Sequence, residues 1–440
     1  MSDAAAVAPS ASPVLGSPEF EEATYRKITW HLLPFLVLCF VIAFVDRVNV
    51  GYAKLQMLDE LKFSNTVYGF GAGVFYFGYF FFEVPSNIIL HKVGARVWIA
   101  RIMVTWGIIS GCAAFMTTPL MFYTQRFLLG VAEAGFFPGI ILYTTYWYPT
   151  SRRAKIVALF FIGIPASAVL GGPISGAILQ FFHGFYGLPG WKWLFLIEAI
   201  PAIVVGVWTL FYLDSGIRQA KWLNEGEKQL LERRIAEEAS EKKEHPSLLL
   251  LFKDPRVWVL AWIYFGDIVG NVGLLFWMPT IVKGLGVKSL LNVGLITALP
   301  YVVAIFLAVI LGTHSDRHRE RRWHIAGPFF ATAVALIGSV IAGKGHPVIA
   351  ITALSIAAGS VLGAGAVFWA VPTALLAGTA AAAGIAAINS VGNLGGFFGP
   401  YIVGWIVDLT SSTAMGMCVV AAVQVAVGLT TLTLPRTVNK

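Results

Sequence analysis

The chain has 440 residues, of which 57% are hydrophobic and only 12% charged, with a mean hydropathy of +0.75. A soluble chain carries roughly 25% charged residues to cover its surface, so this composition excludes a soluble enzyme, a coiled coil, a disordered chain and a disulfide-rich secreted domain. The net charge of +8 sits between apolar runs, which reads as membrane orientation rather than nucleic-acid binding.

Residues 1–24 are rich in Ala, Ser and Pro and read as a flexible cytoplasmic tail, without the basic-then-apolar start of a secretion signal. A bilayer core of ~30 Å needs roughly 20 apolar helical residues. Twelve such runs follow, near 31–51, 66–90, 97–116, 119–147, 155–182, 192–213, 257–283, 291–313, 324–343, 347–376, 381–407 and 412–434. The fold class predicted is an all-α membrane protein of twelve transmembrane helices. The longest loop, 214–256, mixes charges and reads as a solvated cytoplasmic linker with one surface helix. It divides an N-terminal six-helix bundle (25–213) from a C-terminal one (257–440). With the N-terminus inside, 22 of the 31 Lys and Arg fall on the cytoplasmic side, six on the other and three within helices. That bias puts both termini in the cytoplasm. Cys39, Cys112 and Cys418 lie in apolar stretches and form neither a metal nor a disulfide pattern. His314 and His318 fall in a basic loop and read as solvated. No metal and no cofactor is expected.

The halves repeat. Leu129-Gly130 with Phe136-Phe137-Pro138 in span 4 matches Leu362-Gly363 with Phe368-Trp369 and Pro372 in span 10; Gly172-Pro173-x-x-Gly176 in span 5 matches Gly399-Pro400-x-x-x-Gly404 in span 11. His91-Lys92-x-Gly94-x-Arg96 after span 2 matches Gly312-x-x-x-Asp316-Arg317 after span 8. The offsets are similar, roughly 225–233 residues, which predicts two pseudo-symmetric bundles standing the same way up, with a substrate site between them near the midplane.

A charge at mid-membrane costs at least ~2.5–3.5 kcal/mol on insertion scales and marks a task. Span 1 carries Asp46-Arg47, span 2 Glu83, span 4 Arg126 and Glu133, span 6 Glu198 and span 7 Asp267. All the central arginines lie in the N-terminal half, so a bound anion should lean that way. Asp46 and Arg47 point about 100° apart on a helix. Either Arg47 holds a substrate carboxylate while Asp46 titrates, or the two neutralise each other. Arg126 and Glu133 are seven apart, on one face, and read either as a salt bridge or as a switch in which Arg126 chooses between Glu133 and substrate. Tyr79, one turn before Glu83, can donate to an anion, and Glu83 reads as structural or gating. Trp369, Asn389 and Asn393 could supply hydrogen bonds from the opposite half. No nucleophile–base set is visible, so no enzyme is expected.

These residues resemble a family. Along all twelve spans the chain resembles the major facilitator superfamily, and Gly312-x-x-x-Asp316-Arg317 is similar to its cytoplasmic gate motif; the copy after span 2 has Asn87 and His91 where Gly and Asp are usual. Asp46-Arg47-Val48-Asn49, Glu83-Val84-Pro85-Ser86-Asn87, Arg126-x-x-x-Gly130-x-x-Glu133-Ala134-Gly135-Phe136-x-Pro138 and Asn389-Ser390-x-Gly392-Asn393-Leu394-Gly395-Gly396 resemble the anion:cation symporter family, nearest its bacterial tartrate and phthalate permeases. The resemblance implies proton-coupled uptake of organic anions by a monomer in the bacterial inner membrane. It implies proton sites at Asp46 and Glu133, and a carboxylate held by Arg47 and Tyr79. Arg126 links Glu133 to substrate; Trp369, Asn389 and Asn393 complete the pocket; Lys92, Gly94, Arg96, Gly312, Asp316 and Arg317 form the gate. Apolar Phe161-Ile162-Gly163-Ile164-Pro165 suggests a weakly hydroxylated or aromatic acid, and Gly172-Pro173-x-x-Gly176 partly resembles an exchanger signature. An exchanger, an exporter and a non-transporting sensor remain alternatives.

Overall fold

The structure, a computed structural model, describes residues 17–161, 163–239, 254–375 and 379–435. Helix α1 (Pro18–Leu61) starts where the Ser17 hydroxyl accepts the Phe20 amide at 3.2 Å and ends at Lys62 in the left-handed region. It thus begins inside the stretch expected to be tail, of which residues 1–16 lie outside the described part. Its 44 residues reach ~66 Å at 1.5 Å each, far more than a ~30 Å bilayer core. Lys54, expected beyond the first span, is therefore part of the helix.

The rest of the N-terminal half is α2 (Asn65–Val93), α3 (Ala95–Cys112), α4 (Pro119–Glu133), α5 (Phe136–Thr145), α6 (Thr150–Phe161), α7 (Gly163–Phe181) and α8 (Gly190–Tyr212). Span 4 is two helices in line, α4 and α5. The surface helix α9 (Glu225–Ala239) is not a free tether. Glu227 takes the Lys27 ammonium at 2.8 Å, Arg234 reaches Glu21 at 2.6 Å, and the Trp222 ring lies 4.1 Å from that of His31. The expected linker residues 240–253 lie outside the described part.

The C-terminal half is α10 (Pro255–Gly284), α11 (Leu290–His318), α12 (Arg322–Ala342), α13 (Pro347–Phe368), α14 (Ala370–Leu375), α15 (Thr379–Asn393), α16 (Gly395–Thr410) and α17 (Thr413–Thr431). Among the described residues eleven helical runs are long and apolar enough to cross a membrane. The remaining expected span, 381–407, is divided at Leu394 into α15 and α16. Glycines weaken helix continuity, and Gly395 and Gly396 stand at that joint; a Cβ on Gly395 would fall 2.4 Å from the Phe265 carbonyl.

The halves meet along two pseudo-equivalent seams, α2 with α16 and α7 with α11, and where α1 touches α10. The repeated Gly-Pro motifs build both. A Cβ on Gly404 would lie 2.2 Å from the Asn65 carbonyl, and one on Gly176 2.6 Å from that of Leu290. All these contacts sit at the end away from the basic loops. Asp408 closes the first seam by accepting the Asn65 and Thr66 amides at 3.0 and 2.7 Å. Gln180 closes the second by accepting the Ser289 hydroxyl at 2.6 Å and the Leu291 amide at 3.1 Å.

At the basic end, Gly312-x-x-x-Asp316-Arg317 lies within the last turns of α11, not in a loop after it. The reason is the cap: α11 continues to His318 and stops only at Arg319, which is left-handed. Asp316 pairs with Arg321 of its own half at 2.6 Å, while Arg317 and Lys92 are exposed. Gly94 turns the chain between α2 and α3 with φ +92°, and Arg96 follows, half-buried, on α3. His314 and His318 belong to the same helix end, exposed, with rings 4.0 Å apart.

Candidate functional site

Glycine sets the geometry. A Cβ on Gly130 would lie 2.0 Å from the Phe75 carbonyl, and one on Gly78 2.3 Å from that of Phe127. Backbones of α2 and α4 therefore touch, which brings Arg126 and Glu133 beside Phe75, Tyr76 and Tyr79. Span 4 breaks immediately after Glu133 because Gly135 has φ +85° and no room for a side chain beside Ser86. Gly130→Ala is expected to wedge the two helices apart, lowering stability by about 1–3 kcal/mol through overpacking; a fall in the thermal midpoint of the purified protein, together with reduced transport, would be the readout.

Arg47 supplies the charge opposite to that of Glu133. Its guanidinium pairs with Glu133 and lies over Phe44 at 4.6 Å, Phe75 at 5.1 Å and Tyr79 at 5.6 Å. Asp46 turns the other way, into α3, where it accepts the Trp106 indole at 2.9 Å and the Ser110 hydroxyl at 3.0 Å. The 100° offset of neighbours on a helix accounts for the split. Asp46 and Arg47 therefore do not neutralise each other. The partner expected for Arg126 differs too: Glu133 goes to Arg47 instead. Arg126 is 1% exposed, its three guanidinium nitrogens hydrogen-bond to no protein atom, and it lies over the Phe75 ring at 5.3 Å. Phe75 thus lies against both arginines.

The C-terminal half contributes aromatic and amide groups. Tyr264 stacks on Phe368 at 5.5 Å and meets Trp369 edge-on at 4.8 Å. Trp369 stands at the break between α13 and α14, and a Cβ on Gly392 would run into the Tyr264 ring at 2.1 Å. A Cβ on Gly396 would meet the Tyr76 ring at 2.5 Å, so the α15–α16 joint faces the arginine site across the two halves. Asn389 and Asn393 are half-buried on α15. Glu83 is half-buried one turn past Tyr79. Glu198 accepts the Ser175 hydroxyl at 2.7 Å and Asp267 the Asn271 amide at 3.3 Å. Reading the sequence missed Trp106, Ser110 and Phe75. The first two carry one signal, a spacing of i, i+4 that puts both on one face of α3; Phe75 carries none. Among the described residues no His, Cys, Asp or Glu cluster could hold a metal.

Two six-helix halves, sealed together at one end around buried charges, make a membrane transporter rather than an enzyme. Residues 36–400 match the Major Facilitator Superfamily, and the chain belongs to that family. It is 49% identical to a "Putative tartrate transporter" of Agrobacterium vitis, over 95% of this chain and 96% of the relative. It is 46% identical to the "Putative metabolite transport protein NicT" of Pseudomonas putida, over 91% of this chain and 92% of the relative. Among solved structures, that of a D-xylose-proton symporter superposes with a TM-score of 0.74, over 93% of this chain and 99% of the other, at 15% identity, which is a likeness of fold alone.

Proposed function

We propose that the protein is a proton-coupled importer of small organic acid anions, a monomer of the bacterial inner membrane with its basic end and both termini in the cytoplasm. One observation carries this reading: Arg126 is buried without a hydrogen-bond acceptor beside the Arg47–Glu133 pair. A buried guanidinium without acceptors is unfavourable by several kcal/mol, and a carboxylate offers the planar, bidentate acceptor that arginine fits best. A chain that is 49% identical to a protein named for tartrate supports an acid as cargo.

The residues then divide the work. With the site empty, Glu133 occupies Arg47. Protonation of Glu133 frees Arg47 to join Arg126 and the Tyr79 hydroxyl on the substrate carboxylate, so proton and anion favour the same state. Asp46, held by Trp106 and Ser110, is a second proton site. Trp369, Asn389 and Asn393 close the pocket from the other half. Lys92, Gly94, Arg96, Gly312, Asp316 and Arg317 gate the cytoplasmic end as the halves rock. In proteoliposomes an acidic exterior is expected to drive accumulation of tartrate or phthalate. Glu133→Gln is expected to retain exchange and lose accumulation. Gradient-driven uptake unchanged in that variant would remove Glu133 from coupling, and uptake that needs a counter-substrate but no pH gradient would favour an exchanger.

A further inference from the structure

Lys54 sits where a lysine has little reason to be. It lies on α1 at the end away from the basic loops, is only 5% exposed, and its ammonium hydrogen-bonds to no protein atom. The ammonium instead sits 3.1 Å from the centre of the Trp277 ring and 4.7 Å from that of Tyr68. Trp277 belongs to α10, in the opposite half. The surrounding layer is closed by contacts between the halves. Tyr68 donates to the Phe276 carbonyl at 3.1 Å, Lys283 donates to the Leu55 carbonyl at 3.1 Å, and a Cβ on Gly51 would lie 3.1 Å from the Phe276 carbonyl. A cation–π contact offsets only part of the loss of water around an ammonium.

That arrangement holds in one state of the seam. Alternating access requires α1 and α10 to part at this end, which removes Trp277 from the ammonium and opens it to external water. Lys54 is also seven residues beyond Arg47 on α1, two turns along the same face and about 10.5 Å up the axis. We propose that Lys54 is an outer carboxylate site: when the seam opens, it receives the organic anion at the mouth and passes it two turns down α1 to Arg47, and when the seam closes Trp277 replaces the anion as its partner. The inference rests on the reading of the cargo as an organic anion. It explains why no carboxylate is hydrogen-bonded to the ammonium: Asp408 acts on it through space but is held by the Asn65 and Thr66 amides, and a carboxylate paired with it in the wall would keep the anion out.

The test uses the full-length protein in proteoliposomes with radiolabelled tartrate or phthalate. Lys54→Met is expected to raise the external KM about tenfold, the lower range of electrostatic steering, and to flatten its dependence on salt. Its maximal rate and the KM from the cytoplasmic side should change little, and Lys54→Arg should restore the external KM. An external KM unchanged in Lys54→Met overturns the Lys54 site alone. Uptake of neither acid by the wild type overturns the anion reading and the Lys54 site with it. A second measurement needs no variant. A membrane-impermeant amine reagent, followed by peptide mass spectrometry, should label wild-type Lys54 during turnover. Saturating acid should slow that labelling about tenfold, on the same electrostatic ground, while the neutral ester should not, and Lys344, exposed in the turn after α12, should be indifferent to both. Lys54 labelling that ignores the acid contradicts the proposal.

Discussion

Replacing Arg126 by Met is expected to abolish anion binding while leaving the empty protein as stable as before, or more so. Arg126 is buried and hydrogen-bonds to no protein atom, so the empty protein gives up no hydrogen bond when it goes, only the contact with the Phe75 ring and the through-space attraction of Glu133. Removing an uncompensated buried charge relieves its desolvation penalty, and even whole buried ion pairs are often replaced by hydrophobes of similar volume with a neutral effect or a gain of ~1–4 kcal/mol. The anion loses two charge-assisted hydrogen bonds of about 1.5–3 kcal/mol each, and 3 kcal/mol already corresponds to about a hundredfold in affinity. Arg126→Lys keeps the charge but not the fork and should fall between the two. Thermal unfolding with and without tartrate or phthalate separates the effects, because a ligand raises the midpoint by mass action. A variant that is destabilised when empty yet still shifted by acid would reverse both halves of the expectation.

Arg47 should behave oppositely, because it has a partner. Arg47→Met leaves the Glu133 carboxylate buried without its paired, hydrogen-bonded guanidinium, with only Arg126 acting on it through space, and breaking such a pair from one side is unfavourable by up to about 3–5 kcal/mol. Arg47→Met combined with Glu133→Gln removes both charges and should recover most of that loss, giving a coupling of up to about 3 kcal/mol in a double-mutant cycle. Neither Arg47 variant should transport. Additive destabilisation in the double variant would mean that the pair does not act as a unit. Arg47 and Arg126 thus provide a contrast internal to one site: the same side chain, one tied down by the protein and one free, with opposite signs of effect on the empty fold.

Much of this was legible in the sequence. Apolar runs and the basic-residue bias depend only on what a bilayer tolerates, so all spans but the first emerged with small errors at their ends. The repeated Gly-Pro motifs were legible as a repeat, but not as the seams between the halves, since a glycine does not announce which backbone approaches it. The length of α1 was hidden because Lys54 and Glu60 look like the end of a membrane span, while a helix can run on through water or against another helix. Asp46, Arg47, Arg126 and Glu133 were visible as charges out of place. Their pairing was not. It follows from the rotation of α4 against α2, fixed by Gly78 and Gly130, and from the 100° step that sends Asp46 to Trp106 and Arg47 to Glu133. Seven-residue spacing placed Arg126 and Glu133 on one face but could not show that a third helix would claim the carboxylate first.

The central claim is that an ionised carboxylate sits on the half-buried Arg47 and the buried Arg126. Isothermal titration of the purified protein with tartrate and phthalate, each beside its neutral dimethyl ester, tests it directly. The account predicts that at least one acid binds, that its ester binds at least about a hundredfold more weakly, as expected from the loss of charge-assisted hydrogen bonds, and that Arg126→Met abolishes the difference. Equal binding of an acid and its ester by the wild type would contradict it.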